Sequence, residues 1–349
     1  MENRRYNITI LRPYSYPVIP KKRKKGGGAE LYHADKKTKE AIAEAVEKCA
    51  DDTRGQVCYI CTQAVHWKTK EGLVRMCACR GTAGFVHVSC LAEQAKILVA
   101  EAEENNLDFK VQNEKWKRWY SCSLCEQDYH GVVRCALGWA CWKTYVGRPE
   151  SDWTHGAAMT ELGLGLSAVR RYEDALSVGE AELATLRRFV DSKDNILSVQ
   201  SNLACTYELL GRSNEALSLR QEVYSGRLKL EGEEHIYTLN AANNYATSLQ
   251  ILERFKEAKS LMRKTVPKAR RVLGEAHEIT LGMRQNYAMS LYQDPASTLD
   301  DLREAVTTLE ETERTMRRVF GGAHPTTVNL GRGLRNARAA LATREAGEN

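Results

Sequence analysis

Eight cysteine and histidine residues between Cys58 and Cys125 fall into four tight pairs: Cys58-Tyr-Ile-Cys61, Cys77-Ala-Cys79, His87-Val-Ser-Cys90 and Cys122-Ser-Leu-Cys125. Thiolates and imidazoles bind zinc tetrahedrally, and a Cys-x2-Cys turn aims two sulfurs at one metal. Four pairs therefore predict two closed four-ligand sites. Scattered buried cysteines would behave as small apolar residues, which leaves the pairing unexplained. A disulfide framework suits short secreted chains. This chain has 349 residues, an odd count of 11 cysteines, and an opening Met1-Glu-Asn-Arg-Arg that lacks the apolar core of a signal peptide. The cysteine usage implies a reducing compartment instead.

The one-residue gap in Cys77-x-Cys79 and the seven residues before His87 resemble the RING-CH, or RING-variant, zinc finger. That family has a C4HC3 ligand order and a cross-braced topology. The resemblance implies one site from Cys58, Cys61, His87 and Cys90, and a second from Cys77, Cys79, Cys122 and Cys125. It also implies that Ile60 touches a ubiquitin-conjugating enzyme. Gln94 stands where the family has a Trp. Ser123 replaces a Pro common in ordinary RINGs, and Glu126 follows the last ligand where a basic residue is common. A PHD-like histone reader shares the C4HC3 order, but the tight Cys77-x-Cys79 pair disfavours it.

The elements around these residues can be read from composition. Asp35 to Ala50 reads as a helix with Asp35 as N-cap and Ile42, Ala45, Val46 and Cys49 along one apolar stripe. Cys49 has no ligand partner and is read as packing. Leu91–Asn105, rich in Ala, Glu and Leu, is predicted helical and fills part of the 31 residues between Cys90 and Cys122. His66 and His130 complete no site and are read as surface residues. Cys135 and Cys141 lie in the apolar stretch 131–146, read as a buried bridging helix and not a third metal site.

From Trp153 onward the chain repeats. Asn202-Leu-Ala, Asn244-Tyr-Ala and Asn286-Tyr-Ala recur at an interval of 42, as do Arg212 and Arg254, and His235 and His277. Self-similarity at a fixed period marks a solenoid, because one helical pair cannot bury its apolar face alone. The pattern in Leu230-Glu-Gly-Glu-Glu-His235 and Leu273-Gly-Glu-Ala-His277 resembles the tetratricopeptide repeats of kinesin light chain. Asn202 and Thr206, Asn244 and Ser248, and Asn286 and Ser290 are each four apart and share a helix face. They are read as a polar stripe gripping an extended peptide, a role the resemblance also implies for the Asn.

Residues 1–25 hold eight Arg or Lys and one acid; the remaining 324 hold 43 bases and 44 acids. The charge sits in the tail, so a general nucleic-acid surface is not supported. Pro20 and Lys21–Lys25 resemble a nuclear-localisation signal, which gives a cytoplasmic or nuclear expectation. No run of about 18 apolar residues is present, so a soluble protein with no membrane partner is expected. The whole reads as mainly α. A disordered basic tail (1–30) and a leading helix (31–52) precede a two-zinc RING-CH module (53–130). A bridging helix (131–152) and a tetratricopeptide-type α-solenoid (153–345) follow. With two structural zinc ions, a conjugating-enzyme partner and a peptide on the repeats, the resemblance implies a ubiquitin-protein ligase without covalent chemistry of its own. A non-catalytic adaptor is the alternative.

Overall fold

The computed structural model describes residues 28–189, 192–322 and 324–348; the basic cluster Lys21–Lys25 lies outside them. Thirteen α-helices and one 3-10 turn are present among the described residues, with no strand. Two isolated antiparallel bridges, Val74 with Val86 and Ser121 with Asp128, supply the β pairing. The chain divides into two compact units between residues 199 and 200.

In the first unit α1 spans Gly28–Thr53. It starts seven residues before the expected cap, so Asp35 is an interior residue and not an N-cap. Packing decides this. Ala41, Ala45 and Cys49 of α1 are buried in the core that also holds Cys58, Leu73 and Val133, and the Thr38 hydroxyl lies 3.1 Å from the Trp139 carbonyl of α4 (Gly131–Tyr145). The Asp35 carboxylate pairs with Lys143 at 2.6 Å and Lys39 at 2.8 Å. Hydrogen bonding to Lys143, then to Lys39, lowers its pKa.

The 31-residue gap holds α2 (Val88–Glu104) and α3 (Phe109–Trp116). Asp108 caps α3 by accepting from Val111 N–H at 3.0 Å. Trp116 then packs its ring 5.2 Å from Tyr145 and 5.0 Å from Trp153. This aromatic cluster ties the insertion to α4 and to α5 (Trp153–Ala168). Helices α4 and α5 meet backbone to backbone: a Cβ at Gly138 would stand 2.7 Å from the Glu161 carbonyl. The buried pair Arg134–Glu161 crosses the same interface. Helix α6 (Tyr172–Phe189) follows. So α5 and α6, assigned to the repeats by sequence, share one unit with the zinc module.

Helix α7 (Lys193–Leu209) spans the division. The second unit continues with α8 (Ser213–Glu231), α9 (Ile236–Ile251), α10 (Phe255–Leu273), α11 (Glu278–Tyr292), α12 (Leu299–Phe320) and α13 (Pro325–Glu348). Its local code is a glycine and a histidine three residues apart. Gly232, Gly274 and Gly321 end α8, α10 and α12 at φ 84°, 89° and 85°, a region open to Gly because it has no Cβ. His235, His277 and His324 then start the next helix. Each accepts at Nδ1 from the N–H two residues on, at 3.4, 3.2 and 3.3 Å. Leu239, Ala242, Ala246 and Leu249 of α9 pack with Ala258, Met262 and Ala269 of α10. Leu291, Leu309, Met316, Leu330 and Leu334 continue the core through α11 to α13. Arg220 is buried between α7 and α8, donating to the Ser201 carbonyl at 3.2 Å and hydroxyl at 3.0 Å and to Cys205 Sγ at 3.0 Å. No described helix is long and apolar enough to cross a membrane.

Candidate metal centres and candidate groove

The eight predicted ligands gather in the two predicted sets. Cys58, Cys61, His87 and Cys90 form one cluster, and Cys77, Cys79, Cys122 and Cys125 form the other; within each, the ligand atoms lie within 4.8 Å of one another. Zinc–sulfur bonds of about 2.3 Å in a tetrahedron put sulfurs about 3.8 Å apart. Cys79 Sγ lies 3.8 Å from Cys122 Sγ. The first and third pairs make one site and the second and fourth make the other, which is the cross-brace.

Two matching knuckles hold the Cys-x2-Cys pairs. In the first, Cys58 N–H donates to the Gln63 carbonyl at 3.0 Å and Thr62 N–H to the Cys58 carbonyl at 2.9 Å. In the second, Cys122 N–H donates to the Gln127 carbonyl at 2.9 Å and Glu126 N–H to the Cys122 carbonyl at 3.0 Å. Thr62 and Glu126 take φ of 61° and 57°. Backbone N–H groups point at the sulfurs: Ile60 at 3.4 Å from Cys58 Sγ, and Leu124 at 3.4 Å from Cys122 Sγ. The Tyr59 and Ser123 hydroxyls join the knuckles at 3.2 Å.

His87 turns Nδ1 into its site, 3.3 Å from Cys61 Sγ and 3.6 Å from Cys90 Sγ. Its Nε2–H is left to donate to the Ala64 carbonyl at 3.5 Å, which fixes the tautomer a metal needs. Burial lowers its pKa, which favours the neutral ring. Burial pushes the Cys77 and Cys90 thiols well up and Cys79 to about 11. Burial also raises Cys125, but the N–H groups of Gln127 and Ala78 outweigh it and bring that thiol to about 7. Crowded, half-buried sulfurs resist ionisation together; a dication among them relieves the cost. At Gly84, with φ 86°, a Cβ would come 2.6 Å from Cys79 Cβ and 3.3 Å from Cys77 Sγ. The donor set and its spacing fit two zinc ions. Four protein ligands each leave no open position, so the metal is structural.

Of the spare histidines, His130 is exposed as expected, and His66 is not. His66 is 9% exposed and packs edge-on against the His87 ring at 5.3 Å. Its Nδ1 accepts from Thr69 N–H at 3.1 Å. The loop after the first knuckle folds back over site one, which sequence spacing does not reveal. Ile60 is 36% exposed on the first knuckle. Gln94 lies on α2, and Glu126 pairs with Arg118 at 3.1 Å.

The six repeat residues do not line one solvent wall. Asn244, Ser248 and Ser290 are each 1% exposed. The Thr206 and Ser290 hydroxyls return to the carbonyls of Asn202 and Asn286, at 3.2 and 2.8 Å, and Ser248 donates to Glu208 of α7. Asn286 braces α11 to α9: its Nδ2 reaches the Asn243 carbonyl at 3.2 Å, Asn243 Oδ1 at 2.9 Å and Thr247 Oγ1 at 3.0 Å. Of the six, Asn286 alone lines a cavity of about 170 Å³ bounded by α9, α11 and α13. The other amides there are Asn243 and Gln250, Gln285 and Gln293, Asn329 and Asn336. Asn243, Asn286 and Asn329 are spaced by 43, as are Gln250, Gln293 and Asn336. The signal is an Asn or Gln seven residues after each Asn, on one helix face. Asn-x-Ala at 42 aligned the helices but not this face.

Family models match the same regions: the RING-variant domain at residues 58–125, and the tetratricopeptide repeat at residues 196–237 and 238–278. The chain thus joins a RING-variant zinc finger to tetratricopeptide repeats. No curated protein matches. Among solved structures it is similar to BtubC (BKLC) from P. vanneervenii, at 15% identity and a TM-score of 0.46 over 74% of this chain and 87% of that one. It is also similar to the kinesin light chain nearly identical TPR-like repeats from Podosopora anserina, at 20% identity and a TM-score of 0.45 over 66% of this chain and 97% of that one.

Proposed function

We propose that the chain is a RING-type ubiquitin-protein ligase whose zinc finger recruits a ubiquitin-conjugating enzyme and whose repeats hold a substrate peptide. The observation that carries the reading is Ile60. It stands exposed between Cys58 and Cys61 on a hydrogen-bonded knuckle, a rigid apolar contact that loses little entropy on docking. Zinc supplies only structure here. The chain would act by holding the enzyme's thioester near a substrate lysine, which is catalysis by proximity and orientation. The adaptor reading is favoured by Gln94, since α2 offers an amide where the family offers an aromatic contact.

The test is ubiquitin-chain formation with activating enzyme, ubiquitin and a panel of conjugating enzymes. Activity should require zinc and fall in I60A. If no enzyme in the panel supports chains, the adaptor reading replaces this one.

The substrate site we assign to the amide-lined cavity across α9, α11 and α13. Side-chain amides donate and accept, so they match an extended peptide backbone. Asn329 and Asn336 line it, so an N329A/N336A double variant should lose peptide capture with the array intact. Retained capture would move the site elsewhere. Work in the cytoplasm or nucleus follows the cysteine usage and Lys21–Lys25. Replacing those five residues with alanine should lower the nuclear share of a tagged chain, and an unchanged share would remove the signal.

A further inference from the structure

Of the six tryptophans in this chain, five are buried or half-buried among helices, and Trp67 is 69% exposed. It lies seven residues beyond Ile60, on the loop between the second and third zinc ligands. An exposed indole on a floppy loop would mean little, but this loop is fixed at every turn. His66 N–H donates to the Glu71 carbonyl at 3.0 Å and Lys70 N–H to the His66 carbonyl at 2.9 Å. Lys70 takes a left-handed φ of 61° to close the turn. The buried His66 ring accepts from Thr69 N–H and sits between the Trp67 ring, at 6.2 Å, and the ligand His87, at 5.3 Å. At the far end the Glu71 carboxylate accepts from Ser89 N–H and from its hydroxyl, each at 2.7 Å. That anchors the loop to the first turn of α2, the helix carrying Cys90. Metal order at site one therefore reaches Trp67 through two aromatic contacts and a helix end.

We infer that Trp67 is a second anchor for the ubiquitin-conjugating enzyme, added to the contact proposed for Ile60; the inference rests on the ligase reading above. Val57, Ile60, Val65 and Trp67 are exposed apolar side chains within eleven consecutive residues, around the ligand pair Cys58 and Cys61. A rigid Trp is the side chain that most often dominates an interface, because it brings large area at low entropic cost. The α2 position bearing Gln94 offers no aromatic, and the loop whose His66 ring packs on His87 supplies one.

The test measures binding of purified ubiquitin-conjugating enzymes, one at a time and without ubiquitin, to the zinc-loaded full chain. Wild type, I60A, W67A and W67F are compared by calorimetry, with zinc content, Tm and light scattering for each. W67A should weaken Kd for the best-bound enzyme about tenfold, and W67F should recover most of the loss. Zinc content and Tm should not move, because Trp67 packs little. Wild-type affinity in W67A together with weakened I60A overturns the inference and leaves the ligase reading standing. A panel in which nothing binds the wild type overturns both. A smaller molecular mass for W67A than for wild type assigns the indole to a second copy of the chain and also overturns the inference.

Discussion

The zinc finger and the repeats of the second unit reach order by opposite routes. From Cys58 to His87 the backbone forms no helix and one isolated bridge, and its turns are closed by bonds to sulfur and by single left-handed residues. In α8–α13 neighbouring helices cover one another's apolar faces, and amides and carboxylates bind helix to helix. The first region therefore depends on a ligand outside the chain and the second on neighbours within it. A metal-organised loop can carry side chains such as Ile60 and Trp67 outward, because they are not needed for its core. A stacked helix spends its polar groups on its neighbours, as Asn286 does.

The largest expected effect separates the regions outright. C122S removes a buried ligand from site two and leaves three sulfurs with an underligated metal. It should cost about one zinc per chain and unfold the finger, while protection of α9–α12 in hydrogen exchange stays at the wild-type level. Equal loss of protection in both would show that the regions are not independent. Next comes N286A, which breaks three contacts and takes the Asn286 donor from the buried Asn243 Oδ1. A loss of about 1–3 kcal/mol from the second unit is expected, read by chemical denaturation, with zinc content unchanged. A neutral N286A would show the brace to be idle and return this Asn to a purely ligand-facing role.

A smaller effect concerns pH. Glu182 of α6 is buried, accepts from the Thr160 hydroxyl at 2.5 Å, and has its pKa raised by burial to about 8. Its unfolded value is near 4.5, so the unfolded chain ionises first as pH rises. The neutral carboxyl's contribution is complete below about 4.5 and is lost as pH climbs to about 8. Ligand thiolates behave with the reverse sign: acid protonates them and releases zinc. Acid should thus weaken the finger while favouring the α5–α6 packing. E182Q keeps the acceptor and removes the titration. Its Tm should match wild type near pH 5 and exceed it by a few degrees near pH 8. A Tm difference that does not change with pH would contradict this.

These contrasts also explain what the sequence exposed. Ligand spacing is local chemistry, so all eight ligands were legible, and the RING-CH resemblance implied how they divide into two sets. So was the repeat, because stacking forces the same turn each time, and Gly232 to His235 recurs as Gly274 to His277. Asp35 misled because a capping preference of about 1 kcal/mol yields to the packing of α1 on α4. His66 was misread because its burial arises from a loop folding onto His87, which no spacing encodes. The cavity face was missed by one residue. Identical motifs align helices at 42, whereas the amides that line the cavity across α9, α11 and α13 recur at 43.

Two zinc ions organise residues 58–125, and the second unit holds its fold without them. Elemental analysis of the purified full chain, followed by hydrogen exchange with and without a chelator, is the decisive experiment. Two zinc ions per chain are expected. Chelation should leave amides between Cys58 and His87 exchanging freely while α9–α12 remain protected. Fewer than about 1.5 zinc ions per chain, or a second unit that opens together with the finger, would contradict it.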